Sequence, residues 1–141
     1  MTGLLMGIAA AMMLFPGVAS AQPIDGQILE DVTVEVRADA VEFTARFSLI
    51  VLYLDHFPHK AAEEIRVRLL RVPIGSGEPE LLFGREGMVV RRAGSVPEVS
   101  VIYEGDDAGG PTLIFRFDRP TAVDVRQGAD FRSISITVPK S

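Results

Sequence analysis

The sequence predicts a small all-β fold: a β-sandwich of about eight or nine short, mainly antiparallel strands, set behind an N-terminal signal helix. Three observations predict it. Apolar and polar residues alternate with period two in one run after another. Clusters of Gly, Pro and Asp separate those runs at near-regular spacing. No stretch after residue 21 holds a helical period.

The N-terminal segment is of a different kind. Met1 to Ala21 carries no charged residue, and its apolar run from Leu4 to Phe15 ends at Pro16-Gly17. Ala19-x-Ala21 follows, the small-residue pattern that signal peptidase accepts. The run is shorter than the roughly 20 apolar residues that a spanning helix needs. Residues 1–21 therefore read as a secretory signal peptide cut between Ala21 and Gln22. The predicted compartment is the periplasm, with no stable membrane span after cleavage. The segment departs from the usual pattern in having no Lys or Arg at its start, where only the terminal amine is positive. Residues 22–30 read as a polar lead-in and 31–139 as the folded domain.

The strands follow in order. Val32, Val34 and Val36 alternate with Thr33, Glu35 and Arg37; Val41, Phe43, Ala45 and Phe47 alternate with Glu42, Thr44 and Arg46. Ala38-Asp39-Ala40 between them makes the two runs a hairpin. Leu49 to Leu54 is a continuous apolar stretch of strand length, expected to be buried on both faces or to cross between layers. Pro58 ends it, because proline cannot pair inside a central strand. Lys60 to Glu64 has the composition of one helical turn. Ile65, Val67 and Leu69 alternate with Arg66 and Arg68 as the next strand. Gly75 to Pro79 is a turn or loop. Leu81-Leu82-Phe83 and Met88-Val89-Val90 read as two short strands, and Arg91 to Pro97 as a loop. Val99, Val101 and Tyr103 alternate into another strand. Gly105 to Pro111 is the strongest turn signal in the chain. Leu113, Phe115 and Phe117 form a strand, Val123 and Val125 follow Pro120, and Gln127-Gly128 turns the chain. Ile134, Ile136 and Val138 close the fold.

An internal repeat runs through these strands. Arg46-Phe47 is followed by Ile65-Arg66-Val67-Arg68-Leu69, and Arg116-Phe117 by Ile134-Ser135-Ile136-Thr137-Val138. Phe47 and Ile65 are 18 positions apart, and Phe117 and Ile134 are 17 apart. The spacing suggests two related units.

Composition narrows the function. The 141 residues carry a net charge of −5, and every charged residue lies after Ala21. An acidic domain is a poor nucleic-acid binder. There is no Cys, so the core alone must hold the fold. That favours a bacterial cell envelope over a disulfide-stapled secreted module. Arg occurs twelve times and Lys only at positions 60 and 140; Arg is the better partner for planar carboxylates.

A family pattern is carried by Arg46-Phe47, Tyr53-Leu54-Asp55-His56-Phe57-Pro58, Asp106 to Pro111 and Leu113 through Val138. This order resembles the AMIN domain, the periplasmic β-sandwich module at the N-terminus of some cell-wall amidases. It also resembles the AMIN-like segment of certain proteobacterial tetratricopeptide and SPOR envelope proteins. The resemblance covers most of residues 31–138. It implies a non-catalytic targeting module that binds peptidoglycan or an envelope partner. The sequence departs from those larger proteins in carrying no amidase, repeat or SPOR region after Val138, and reads as a stand-alone module or as a fragment.

The chemical motifs are few. His56-x-x-His59 lies near Asp55, Glu63 and Glu64, residue types that zinc accepts. Pro58 between the imidazoles disfavours a helical arrangement, and the stretch reads as a solvated connection with no metal assigned. Glu104 to Asp107 matches no calcium-loop spacing and reads as a hairpin turn. No nucleophile elbow, Walker loop or marked acid/base pair is present, so neither catalytic residues nor a cofactor are expected. The arginines remain. Alternation points Arg37, Arg46, Arg66, Arg68, Arg116 and Arg126 away from the core. Arg46, Arg66, Arg68 and Arg116 are the candidate ligand-binding residues, because guanidinium forks match the carboxylates of peptidoglycan stem peptides. Against this, Glu35, Asp118 and Asp124 are placed to neutralise such a face across strands.

Three functions are therefore expected, in order: a periplasmic module binding peptidoglycan or an envelope protein; a structural or assembly protein pairing through an exposed strand edge; and a small metal-binding envelope protein using His56 and His59.

Overall fold

The computed structural model describes residues 27–72 and 84–140. The signal peptide, its cleavage site, most of the lead-in, the Gly75–Pro79 turn and the short strand at Leu81–Phe83 lie outside the described residues. Nine strands form: β1 (Leu29–Val36), β2 (Ala40–Phe47), β3 (Ile50–Phe57), β4 (Ala62–Val72), β5 (Arg85–Val90), β6 (Val99–Glu104), β7 (Thr112–Thr121), β8 (Asp124–Gln127) and β9 (Ser133–Pro139). They make two antiparallel sheets, ordered β1-β2-β9-β8 and β3-β4-β7-β6-β5. No helix among the described residues is long and apolar enough to cross a membrane.

Alternation is what builds these sheets. In β2, Val41, Phe43, Ala45 and Phe47 are buried while Arg46 is exposed. In β4, Ile65, Val67 and Leu69 are buried and Arg66 and Arg68 exposed. The inward sets of both sheets merge into one core, with Phe47 of β2 meeting Tyr103 of β6 edge to face at 6.0 Å. Among the described residues no buried side-chain nitrogen or oxygen lacks a hydrogen-bond partner.

Three sequence expectations change. β1 begins at Leu29, inside the segment read as lead-in, and both Ile28 and Leu29 are buried. Lys60 to Glu64 is not a helical turn: Ala62 to Glu64 open β4, and Glu64 lies opposite Arg116. A single helical turn is marginal on its own, and the ladder to β7 outcompetes it. The apolar run Leu49–Leu54 is not buried on both faces. Leu49 lies in the passage from β2 in one sheet to β3 in the other, and Ile50 to Leu54 belong to β3, an edge strand, where Val51 is buried, Leu52 and Tyr53 are half-buried and Leu54 is 50% exposed. Composition shows that a run is apolar; only pairing shows that it lies at an edge.

The sequence repeat has a counterpart in the pairing. Exchanging β1, β2, β3 and β4 with β6, β7, β8 and β9 maps one sheet order onto the other, and β5 is the strand without a counterpart. The registers correspond as well. Ala45↔Ile134 and Phe43↔Ile136 in β2·β9 match Phe115↔Ile65 and Leu113↔Val67 in β7·β4. Val32↔Ala45 and Val34↔Phe43 match Val101↔Phe115 and Tyr103↔Leu113. Both central pairings join one half to the other, so neither half completes a sheet alone.

Side chains stitch the sheets together at their edges. The Glu86 carboxylate of β5 accepts the backbone N–H of Ile28 at 2.9 Å and of Leu29 at 2.7 Å, at the start of β1. On the opposite seam the Gln127 amide of β8 accepts the Tyr53 N–H at 2.7 Å and donates to the Val51 carbonyl at 3.0 Å, both in β3. Each side chain does there what a neighbouring strand's backbone would do. The turn after Gln127 needs its glycine: a Cβ on Gly128 would collide with the Ser133 hydroxyl and lie 2.9 Å from the Ser133 carbonyl oxygen.

Candidate functional site

The outer face of the five-stranded sheet gathers three of the four sequence-predicted binding residues. Arg66 and Arg68 project from β4 and Arg116 from β7, all exposed. The period-two pleat puts them on one face, and the antiparallel register makes them neighbours. Glu64 lies between two of them. Its Oε1 accepts from Arg116 Nε at 2.8 Å and its Oε2 from Arg66 Nε at 2.8 Å. The bond from Arg116 is the main reason that the Glu64 carboxyl is held below its ordinary range; Arg66 adds to it and partial burial opposes it. Arg66 also reaches Asp107 at 3.3 Å. Arg68 is the least engaged, with a 3.4 Å bond to the Gly109 carbonyl and no ion pair among the described residues.

Apolar groups sit beside these charges. One row across the face runs Phe57, Arg66, Ile114, Ile102 and Gly87. Ile114 and Ile102 are 2% and 9% exposed although they point away from the inter-sheet core, whereas Phe57 is 68% exposed. The next row runs Arg68, Thr112, Glu104 and Arg85, with Arg85 paired to Glu104 at 2.6 Å. The face thus combines the three predicted guanidiniums with the Arg85–Glu104 pair, the bridging carboxylate of Glu64 and an exposed aromatic ring.

Arg46 is not part of it. It stands on β2, in the other sheet, with its guanidinium 3.9 Å from Asp130. The backbone N–H of Arg132 is the main cause of the lowered Asp130 carboxyl, with Ser133 and Arg46 contributing less and burial opposing. The neutralising partners also differ from expectation. Glu35 pairs with Arg37 just past the end of its strand at 3.2 Å, and Asp124 with Arg126 along β8 at 2.8 Å. Asp118 serves Arg92 and Arg119 rather than Arg116. Glu64, the carboxylate that does neutralise the face, was hidden in the sequence by its helix-like surroundings.

The histidine segment forms a compact polar cluster. Tyr53 Oη lies 2.7 Å from His56 Nδ1, the two imidazoles are 4.7 Å apart, and His59 Nε2 is 3.6 Å from Asp55. Burial raises the Tyr53 hydroxyl, and the charges of Asp55 and Asp124 add to the effect. The Phe57–Pro58 peptide is cis. No group of three or more His, Cys, Asp or Glu among the described residues could hold a metal ion. Glu63 and Glu64 stand on β4, and Glu64 is already committed to arginine. The Asp106–Pro111 turn has the structure its composition suggests, with Gly110 N–H donating to the Asp107 carbonyl at 2.9 Å and Gly110 at φ 100°.

A second cluster was not legible in the sequence. Arg92, Asp118, Arg119 and Lys140 meet at one end of the sandwich, around a cleft between the sheets. Arg92 comes from the β5–β6 connection, Asp118 and Arg119 from the end of β7, and Lys140 from just beyond β9, and no spacing within any one of these segments signals the meeting. No protein-family model, curated protein or solved structure matches the chain.

Proposed function

We propose that this chain is a non-catalytic binding or targeting module of the bacterial periplasm, engaging peptidoglycan or a cell-envelope protein through the outer face of its five-stranded sheet. The observation that supports this reading is the gathering of Arg66, Arg68 and Arg116 on one partly apolar sheet face. Glu64 shows how the face handles a carboxylate, each oxygen taking one guanidinium. The carboxylates of stem peptides, or of an acidic protein segment, have the same chemistry, and Arg68 is the cation with most freedom to meet them. The AMIN resemblance and the signal-peptide pattern point to the same compartment and ligand class.

Sedimentation with insoluble peptidoglycan tests the proposal. The wild-type chain is expected to pellet with the wall at low salt, and Arg66→Glu/Arg68→Glu to stay in the supernatant with an unchanged melting temperature. A wild-type chain that never pellets removes peptidoglycan as the ligand. Pelleting that the double variant leaves intact removes the face as the site.

A further inference from the structure

A concave site at one end of the sandwich has chemistry that the arginine face lacks. The cleft has a volume of about 530 Å³, inside the roughly 300–1,000 Å³ range of small-molecule sites. Its walls come from both sheets: the start of β2 and the end of β9 on one side, the end of β7 and the β5–β6 connection on the other. Pro97, Pro120 and Pro139 give it apolar surface, and Val41 and Val138 also line it, though they are only 1% and 8% exposed. Proline fixes its own φ, so these walls are largely ordered before any ligand arrives.

Charge distinguishes the cleft further. Arg92, Arg119 and Lys140 line it against the single carboxylate of Asp118, in a chain whose net charge is −5. Asp118 forms ion pairs with Arg92 and, at 3.6 Å, with Arg119. One carboxylate cannot neutralise both. Lys140 has no ion pair among the described residues, while its backbone N–H is anchored to the Asp39 carbonyl at 2.9 Å. Surplus positive charge in a concavity with low-dielectric walls concentrates anions there. The apolar walls favour an anion that carries an apolar body.

We propose that this cleft binds a small organic carboxylate, with Arg119 and Lys140 holding the carboxylate and the valine and proline walls holding its apolar part. The site shares no residue with the arginine face and does not depend on that face's function. The test is a titration of the isotope-labelled full chain with benzoate, followed by amide shifts of Gly94, Ala122 and Lys140. Benzoate is expected to saturate these shifts at millimolar concentration or below. Neutral benzamide and inorganic phosphate are expected to bind roughly tenfold more weakly or worse. Arg119→Gln/Lys140→Gln should weaken benzoate by roughly tenfold, and Arg68→Glu should not weaken it. Both cleft residues lie at the surface, so an unchanged melting temperature verifies the fold of the variant. Three results would each overturn the proposal: shifts that never saturate, benzamide or phosphate binding as tightly as benzoate, or a double variant that binds like the wild type.

Discussion

The arginine face and the end cleft each place two arginines on one carboxylate, but they differ in shape and in what surrounds the pair. On the face, Arg66 and Arg116 share Glu64, and Arg66 also reaches Asp107. In the cleft, Arg92 and Arg119 share Asp118, and Lys140 adds a further cation. The face lies within one sheet. The cleft is concave and needs both sheets in place. A paired charge on a solvated surface contributes little, typically about 0–1 kcal/mol; a cation in surplus inside a concavity acts on whatever diffuses by. The difference teaches that a cation's value for binding depends on the shape of its surroundings and on the local balance of charge as well as on its exposure.

The largest effect should come from the seams that hold the two sheets together. Glu86→Ala leaves the N–H groups of Ile28 and Leu29 without their partner, and Gln127→Ala does the same to Tyr53 N–H and the Val51 carbonyl. Each is expected to cost about 1–3 kcal/mol in urea unfolding. Because the cleft alone spans both sheets, each variant should weaken benzoate binding more than wall sedimentation. Equal losses in the two assays would mean that the cleft is not shaped by the seams.

A middle-sized effect is expected within the cleft. Asp118→Asn removes the carboxylate that holds Arg92 and Arg119, and benzoate affinity should rise by roughly three- to tenfold, or about 0.7–1.4 kcal/mol. An unchanged or lower affinity would show that Asp118 orients the guanidiniums instead of competing for them.

The smallest effect lies on the face and depends on pH. The Glu64 carboxyl sits below its ordinary range in the folded chain, chiefly through Arg116. Its contribution to stability is therefore complete above the unfolded value near pH 4.3 and declines as pH falls through the lower folded value. Acid unfolding followed below about pH 4 should show a modest extra loss in the wild type compared with Glu64→Gln, damped because the pair is solvated. Parallel acid curves for the two proteins would show that Glu64 gives the face no net stability.

Much of the fold was legible because it depends on period two. Val32 to Phe47 and Ile134 to Val138 show which side chains turn inward, and the structure buries all of them but Val36, at the end of β1, which is 51% exposed. The repeat from Phe47 to Ile65 and from Phe117 to Ile134 even anticipated the matched registers of β2·β9 and β7·β4. Less of the site was legible. Alternation established that Arg46, Arg66, Arg68 and Arg116 point outward but could not assign them to sheets, and Arg46 falls on the other one. Glu64 was missed because local composition around Lys60 to Glu64 favours helix, and only the ladder to Arg116 overrides it. The edge position of β3 was missed for a similar reason, since Leu49 to Leu54 is as apolar as a central strand.

By itself, then, the sequence determined the class of fold, the inward and outward faces of the strands that alternate with period two, and the turns at Asp39, Asp107 and Gly128. Those properties arise from neighbours in the chain, through the alternation of Cβ directions and the backbone freedom of turn residues. Tertiary structure alone decided which sheet each strand joined, which carboxylate reached which arginine, and that Arg92, Asp118, Arg119 and Lys140 meet in a cleft. Those outcomes depend on pairing between residues far apart in sequence, where register and sheet order bring side chains together and no local pattern records the meeting.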